Sequence, residues 1–282
     1  MLNIQHQVFC RSGHAGPARG SGFQALVRND SFKGKTMNRT GRDYIVFPLD
    51  VAEIDAAKTL VRQLDAHVGM FKIGLELFIR HGPDVVKMVR DLSTAGIFLD
   101  LKLHDISTTV FRAMARVADL GVDLATVHGC SSKKMLEMAV QGARDRVGIL
   151  GVTLLTDNDG DTLAAGGYSD RFSADPMELV MLRAALAHDA GCRGVVCSGR
   201  EARDIKARFG RDFLAVTPGI RPAWSLTPED DQKRITTPAQ AISQGSDLLV
   251  IGRPIRDADD PAGAAQKIID EIETTLDNQG PV

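Results

Sequence analysis

The chain has 282 residues, of which 44% are hydrophobic and 25% charged, and that length fits about two ordinary domains or one large barrel. Its 34 basic and 36 acidic side chains leave a formal charge of -2, which excludes a purely electrostatic binder of nucleic acid or of an anionic membrane surface. No run of roughly 18 apolar residues occurs and residues 1–30 lack the apolar core of a leader, so neither a membrane span nor a signal peptide is expected. Cysteines at 10, 130, 192 and 197 form no C-x2-C pair, and a chain this long needs no disulfides to supplement its core; we read a reducing, cytoplasmic compartment.

Residues 1–40 carry Gly, Ser, Arg and His with neither helical nor strand periodicity, and GRDYIVFPLD at 41–50 then switches to a buried-strand pattern. We expect a flexible N-terminal extension over 1–40 and one domain over 41–282. Met37 lies just before the switch, which leaves two readings of the extension open: a disordered arm, or a product of an upstream translation start.

From there, apolar runs at 43–49, 69–74, 97–103, 123–128, 147–154, 193–197, 212–217 and 246–251 read as strands. Helical patterns at 53–65, 82–94, 107–120, 132–143, 176–190, 200–207, 237–244 and 261–276 follow them one by one. Near-continuous hydrophobic stretches such as YIVF and GVVC suit parallel strands covered by helices on the outside. Repeated βα units of this number close into a (β/α)8 TIM barrel of about 250 residues. An open doubly wound sheet shares the rhythm, but it does not favour eight units and leaves edge strands to protect.

Neither G-x-G-x-x-G nor G-x-x-x-x-G-K-[ST] occurs, so the two common nucleotide fingerprints are absent. The connections 155–175 and 218–236 exceed the roughly 2–6 residues usual between strand and helix, and both leave strands at the catalytic end of a barrel. Either is long enough to close over a substrate. The D-N-D-G-D run at 157–161 lacks the closing glutamate of a calcium loop, and no cluster with metal-ligand spacing appears; we expect no metal.

Charge collects where the strands end. Asp50, Lys72, Asp100, Lys102 and Asp105 follow apolar strand cores in FPLD, FKIG and FLDLKLHD. Alternation puts Asp100 and Lys102 on one side of the third strand, while Asp105 lies in the following loop, free to turn back or to meet a neighbouring subunit. Charges withdrawn from water must be paired, so the group is either a binding pocket or a ring of salt bridges on the barrel rim. The recurrence of Lys and Asp at successive strand ends favours the pocket.

The order of FPLD (47–50), FKIGLELF (71–78), FLDLKLHDI (98–106), TVHG (126–129), VTLLT (152–156), TPGIRP (217–222) and VIGRPI (250–255) resembles that of bacterial orotidine 5'-phosphate decarboxylases, over residues 43–275. The resemblance implies decarboxylation of orotidine 5'-monophosphate (OMP) to UMP without metal or organic cofactor, in a homodimer with composite sites. It implies Lys102 as the proton donor to pyrimidine C6 and Asp100 beside the substrate carboxylate. Lys72 would orient Asp100 and reach the ribose, Asp50 would accept from ribose hydroxyls, and Asp105 and Thr109 would come from the opposing subunit. Thr156 would contact the pyrimidine, with loop capping as its alternative role.

Gly219, Arg221, Gly252 and Arg253 follow the seventh and eighth strands, a recurrent phosphate site of barrels, where a guanidinium grips the phosphate and glycines permit close backbone approach. His104 and His128 read as packing or hydrogen-bonding groups, and Cys130 and Cys197 as structural thiols with no assignable base. Three features depart from the family pattern. Ser107 stands where a proline is frequent; Ala223 and Trp224 replace a polar pair; and Gln232 lies across the altered loop, too far to inherit the phosphate-capping role. D-x-K-x-x-D also occurs in metal-dependent sugar-phosphate decarboxylases and synthases, and a catalytically silent nucleotide-binding barrel is the alternative of another class.

Overall fold

The computed structural model describes residues 39–225 and 236–279. The N-terminal extension, apart from its last two residues, and Gln232 lie outside the described residues.

Eight short strands, β1 (Ile45–Pro48), β2 (Met70–Ile73), β3 (Gly96–Leu103), β4 (Leu124–His128), β5 (Gly148–Val152), β6 (Gly194–Val196), β7 (Leu214–Thr217) and β8 (Leu248–Val250), pair in parallel in chain order. β1 pairs with both β2 and β8, so the sheet is a closed barrel and the open-sheet alternative is excluded. Around it run α1 (Ile54–Leu64), α2 (Leu75–His81), α3 (Asp84–Leu92), α4 (Ser107–Leu120), α5 (Lys133–Ala143) and α6 (Gly160–Ala165). These are followed by α7 (Asp170–Ala174), α8 (Pro176–Asp189), α9 (Ala202–Phe209), α10 (Pro238–Ser243), α11 (Arg253–Arg256) and α12 (Pro261–Gln279).

Most strand residues are buried on both faces, which is why the strand sequences are largely apolar up to their C-terminal ends. Outward-facing Ile45, Phe47, Phe71, Ile73 and Leu99 pack beneath the helices. Inward-facing Val46, Met70, Phe98, Leu124, Leu150, Val216 and Leu248 form a separate plug that fills the barrel. Side chains on one strand face repeat every second residue, and one such step beyond the plug stand Lys72 on β2, Asp100 on β3, Thr126 on β4, Val152 on β5 and Val250 on β8. The charged groups therefore sit on an apolar floor at the ends of the strands.

Four short helices differ from the sequence expectation. α2 and α3 are separate helices because Gly82 takes φ 59, a left-handed conformation that stops α2, and Pro83 follows at the start of α3. The long 155–175 connection folds into α6 and α7, and α11 opens directly from β8. All four span no more than seven residues, too short for periodicity to distinguish from loop. Two other helices begin where capping chemistry predicts: the Asp175 side chain accepts from Met177 N–H before Pro176 at the start of α8, and Thr237 with Gln240 forms a capping box on α10. Among the described residues no helix is long and apolar enough to cross a membrane.

Candidate active site

At the C-terminal end of the barrel a cavity of about 390 Å³ is lined by the polar residues Lys72, Asp100, Lys102, Thr156 and Asp157. Phe98, Val152, Leu154, Val196, Pro218 and Val250 make up the apolar floor and opposite wall. The site thus lies on the barrel face that hosts the active sites of this fold.

Asp100 is the hub of the polar side. Its Oδ2 lies 2.9 Å from Lys102 Nζ and 3.7 Å from Lys72 Nζ, while its Oδ1 accepts from the Thr126 hydroxyl at 2.9 Å. Lys72, only 9% exposed, also donates to Asp50 Oδ1 at 3.1 Å. Two ammonium groups and a hydroxyl thus offset the desolvation of one half-buried carboxylate, and an exposed second carboxylate shares the deeper lysine. The predicted placement of Asp100 and Lys102 on one side of β3 holds, but through an irregular strand. The β3–β4 register shifts between Leu99 and Leu103, and Lys102 has φ 49, a conformation costing a non-glycine residue on the order of 1–3 kcal/mol. The Lys102 N–H donates to Thr126 Oγ1 at 2.8 Å.

Asp105 and Thr109 are exposed and do not line the cavity of their own chain. Asp105 Oδ1 accepts from the Ile106 N–H at 2.6 Å, and Ile106 itself is 72% exposed. Thr156 lines the cavity.

None of the four expected phosphate residues lines the cavity itself. Pro218 lines the cavity; Gly219 beside it has φ 76, which only glycine adopts without strain. Gly252 caps α11 next to β8, and a Cβ there would come within 3.0 Å of Pro48 Cγ. Arg253 is the first residue of α11 and is half-buried. Arg221 is buried and donates from Nη1 to the Ile220 carbonyl at 2.9 Å.

His104 and His128 stand with ring centroids 5.5 Å apart beside the charged side. Burial, then His104 and the cations Lys102 and Arg183, hold the His128 imidazole below its ordinary 6.5, against the opposing pull of Asp100. The ring contact suits the packing role expected of both. Cys197 is fully buried and its thiol is pushed well above 9.0 by burial, the character of an inert core thiol. Cys130 is exposed instead, with Sγ 3.9 Å from His104 Nε2. No group of three or more potential metal ligands occurs among the described residues.

Three contributors were not singled out from the sequence. Thr126 was legible only as part of TVHG. Arg183 on α8, 7% exposed, donates to the Thr153 carbonyl and, at 2.7 Å, to Tyr168 Oη, tying the connection that bears Thr156 to the end of β5. Arg256 on α11 donates to the Asp50 carbonyl at 3.1 Å, linking the β8 side of the site to β1. Each acts through backbone or through a second side chain across the barrel, and no local spacing reveals such a pair.

Fold and site together define a (β/α)8 barrel whose strand-end cavity sets a lysine–aspartate network against an apolar wall, with glycine and arginine turns after β7 and β8. The model of the Orotidine 5'-phosphate decarboxylase / HUMPS family matches residues 43–268, and the chain belongs to that family. It is 50% identical over 240 residues to the orotidine 5'-phosphate decarboxylase of Desulfosudis oleivorans, covering 85% of this chain and 96% of that protein. The corresponding protein of Syntrophotalea carbinolica is 44% identical over 245 residues, with 84% and 97% covered. Among solved structures, orotidine 5'-phosphate decarboxylase from Lactobacillus acidophilus superposes with a TM-score of 0.70 at 34% identity, over 81% of this chain and 98% of that one.

Proposed function

We propose that this chain is a carboxy-lyase that converts OMP to UMP and carbon dioxide, the last step of de novo UMP synthesis. The observation that carries the reading is the Asp100–Lys102–Lys72 network on a cavity with an apolar opposite wall, in a member of this family.

Breaking the C6–carboxylate bond leaves its electron pair on pyrimidine C6 and releases neutral carbon dioxide. A fixed ammonium beside C6 stabilises that developing charge and then transfers its proton to the same carbon. Lys102 takes both roles and recovers its proton from solvent after product leaves. Neither role calls for a metal or an organic cofactor. Asp100 keeps Lys102 charged and aimed, and Lys72 on the other side of Asp100 limits the repulsion that a substrate carboxylate meets there. Because the interaction with Lys102 grows as charge moves onto C6, it lowers the barrier rather than merely tightening binding. Released carbon dioxide faces Val152, Val196 and Val250, which do not solvate a carboxylate.

In this reading Asp50 and Lys72 hold the ribose, Thr156 the pyrimidine, and Gly219, Arg221, Gly252 and Arg253 the phosphate. Remote grip on the phosphate supplies binding energy for aligning the reacting end. Asp105 and Thr109 serve the site of a second copy in a homodimer, which accords with their exposure beside Ile106. Sedimentation across protein concentrations tests the dimer, and mixing inactive Lys102→Ala with inactive Asp105→Asn subunits tests the crossing. Recovered activity is expected, because the hybrid regains one intact site; no recovery by demonstrated heterodimers removes the crossed assignment. A cytoplasmic location belongs to the same reading and is tested by fractionation of the source cells.

The deciding experiment is ultraviolet monitoring of OMP loss by metal-free protein. Turnover by the wild type and none by folded Lys102→Ala is expected. A folded wild type that leaves OMP intact, or turns over only a sugar phosphate when a divalent metal is restored, overturns the proposal.

A further inference from the structure

The irregular β3–β4 pairing converges on one residue. Four residue steps along β3, from Leu99 to Leu103, span the same ladder as two steps along β4, from Ala125 to Val127, and Thr126 is the residue enclosed. Lys102 lies in the bulged stretch with φ 49, so its N–H leaves the regular ladder and needs another acceptor. Thr126 Oγ1 is that acceptor at 2.8 Å, and the same oxygen is 2.9 Å from Asp100 Oδ1. The amide can only donate and an ionised carboxylate can only accept. The hydroxyl proton therefore points at Asp100 and the hydroxyl lone pair at Lys102, which fixes the direction of both bonds. Thr126 is 1% exposed, so no bulk water competes for either partner.

We propose that Thr126 is a positioning residue of this site: its hydroxyl ties the Asp100 carboxylate to the left-handed backbone of Lys102 and so sets the distance and direction of the Lys102 ammonium. The inference rests on the decarboxylase reading for its kinetic consequence, though not for its geometry. A left-handed lysine persists only where its surroundings over-determine it. Here those surroundings include one hydroxyl reaching both residues that flank the reaction. Lys72 approaches Asp100 through Oδ2 alone, leaving Oδ1 to Thr126. Without that hydroxyl the carboxylate is free to rotate about its last bond, and the contact with Lys102 Nζ moves with it. An error of this kind near the reacting atom falls mainly on kcat.

Thr126→Val keeps the side-chain shape and removes both bonds; Thr126→Ser keeps both bonds and loses a methyl. For Thr126→Val we expect kcat for OMP to fall by about 10- to 100-fold. KM and the Kd of UMP are expected to stay within about threefold of wild type. Thr126→Ser should return kcat to within about threefold. A purely structural threonine predicts a lower unfolding midpoint with kcat intact, and that outcome overturns the proposal, as does equal loss of kcat in the serine variant. If the valine protein does not fold, Thr126→Ala removes the hydroxyl without branching and carries the same comparison with serine. A crystal structure of the hydroxyl-free variant separates this inference from the functional one. Lys102 out of the left-handed region supports positioning even if the wild type fails to consume OMP; Lys102 retaining φ near its present value with the Asp100 contact intact overturns it.

Discussion

The two arcs of the cavity both stand just beyond the plug of the same barrel and behave oppositely. On β2 to β4 the residues above the plug are Lys72, Asp100 and Thr126, joined by contacts of 2.9 to 3.7 Å. On β5, β6 and β8 they are Val152, Val196 and Val250, which line the cavity as an apolar wall. The division is one of side-chain chemistry, to which β3 adds an irregular backbone at Lys102. The charged arc supplies field and proton; the apolar arc keeps the medium poor in water, where that field acts most strongly. It also gives a neutral product a wall that its charged precursor lacks a partner on.

The strongest way to break the contrast is to take the ammonium from the charged arc. Lys102→Ala should lower kcat by about 10⁴-fold, since it removes both the electrostatic stabiliser and the proton donor, with UMP affinity measured in parallel to show the pocket intact. Lys72→Ala comes next, at about 10²- to 10³-fold in kcat/KM by steady-state kinetics, with KM rising because ribose contact is lost too. An effect on KM alone would make Lys72 a binding group rather than a member of the charge network.

On the opposite arc, Val152→Thr replaces a buried methyl by a hydroxyl with no assigned partner. It should cost about 1–3 kcal/mol in urea unfolding. It should also lower kcat/KM by about tenfold at most. A loss as large as that of Lys72→Ala would show the two arcs to contribute equally, and would end the division proposed above.

The smallest effect is a pH dependence at the edge of the charged arc. His128 titrates below its ordinary 6.5 in the folded chain, chiefly because burial disfavours the imidazolium. On acidification the unfolded chain therefore takes up this proton first. The stability contributed by neutral His128 is complete above about pH 6.5 and is lost as pH falls through the lowered folded value. Urea unfolding of His128→Gln should show a shallower fall in stability across that interval than the wild type. Equal slopes would mean that neither burial nor the cations around His128 hold it neutral.

Legibility from sequence followed the range of the interactions. Strand runs and most helices were readable because burial on both faces, 3.6-residue periodicity and caps such as Asp175 and Thr237 are local. The charged strand ends were readable for the same reason: Asp100 and Lys102 are two residues apart, and Lys72 follows its own apolar run. α2, α6, α7 and α11 were not, because a helix of a few residues buries too little to impose a pattern. Thr126 looked like an ordinary β-branched strand residue, and its two bonds to β3 are with residues 24 and 26 positions away.

Length, composition and near-neutral charge leave one barrel or two domains open, and the eightfold alternation of strand and helix chooses the barrel. The sequence by itself determined that choice, because periodicity and turn chemistry are written in neighbouring residues. Only the tertiary structure decided the bulge that turns Lys102 into a left-handed conformation, the single hydroxyl that binds both Lys102 and Asp100, and the apolar arc that faces them. Those features depend on barrel closure and on the register between strands, and register is a property of two segments that no single stretch of sequence contains.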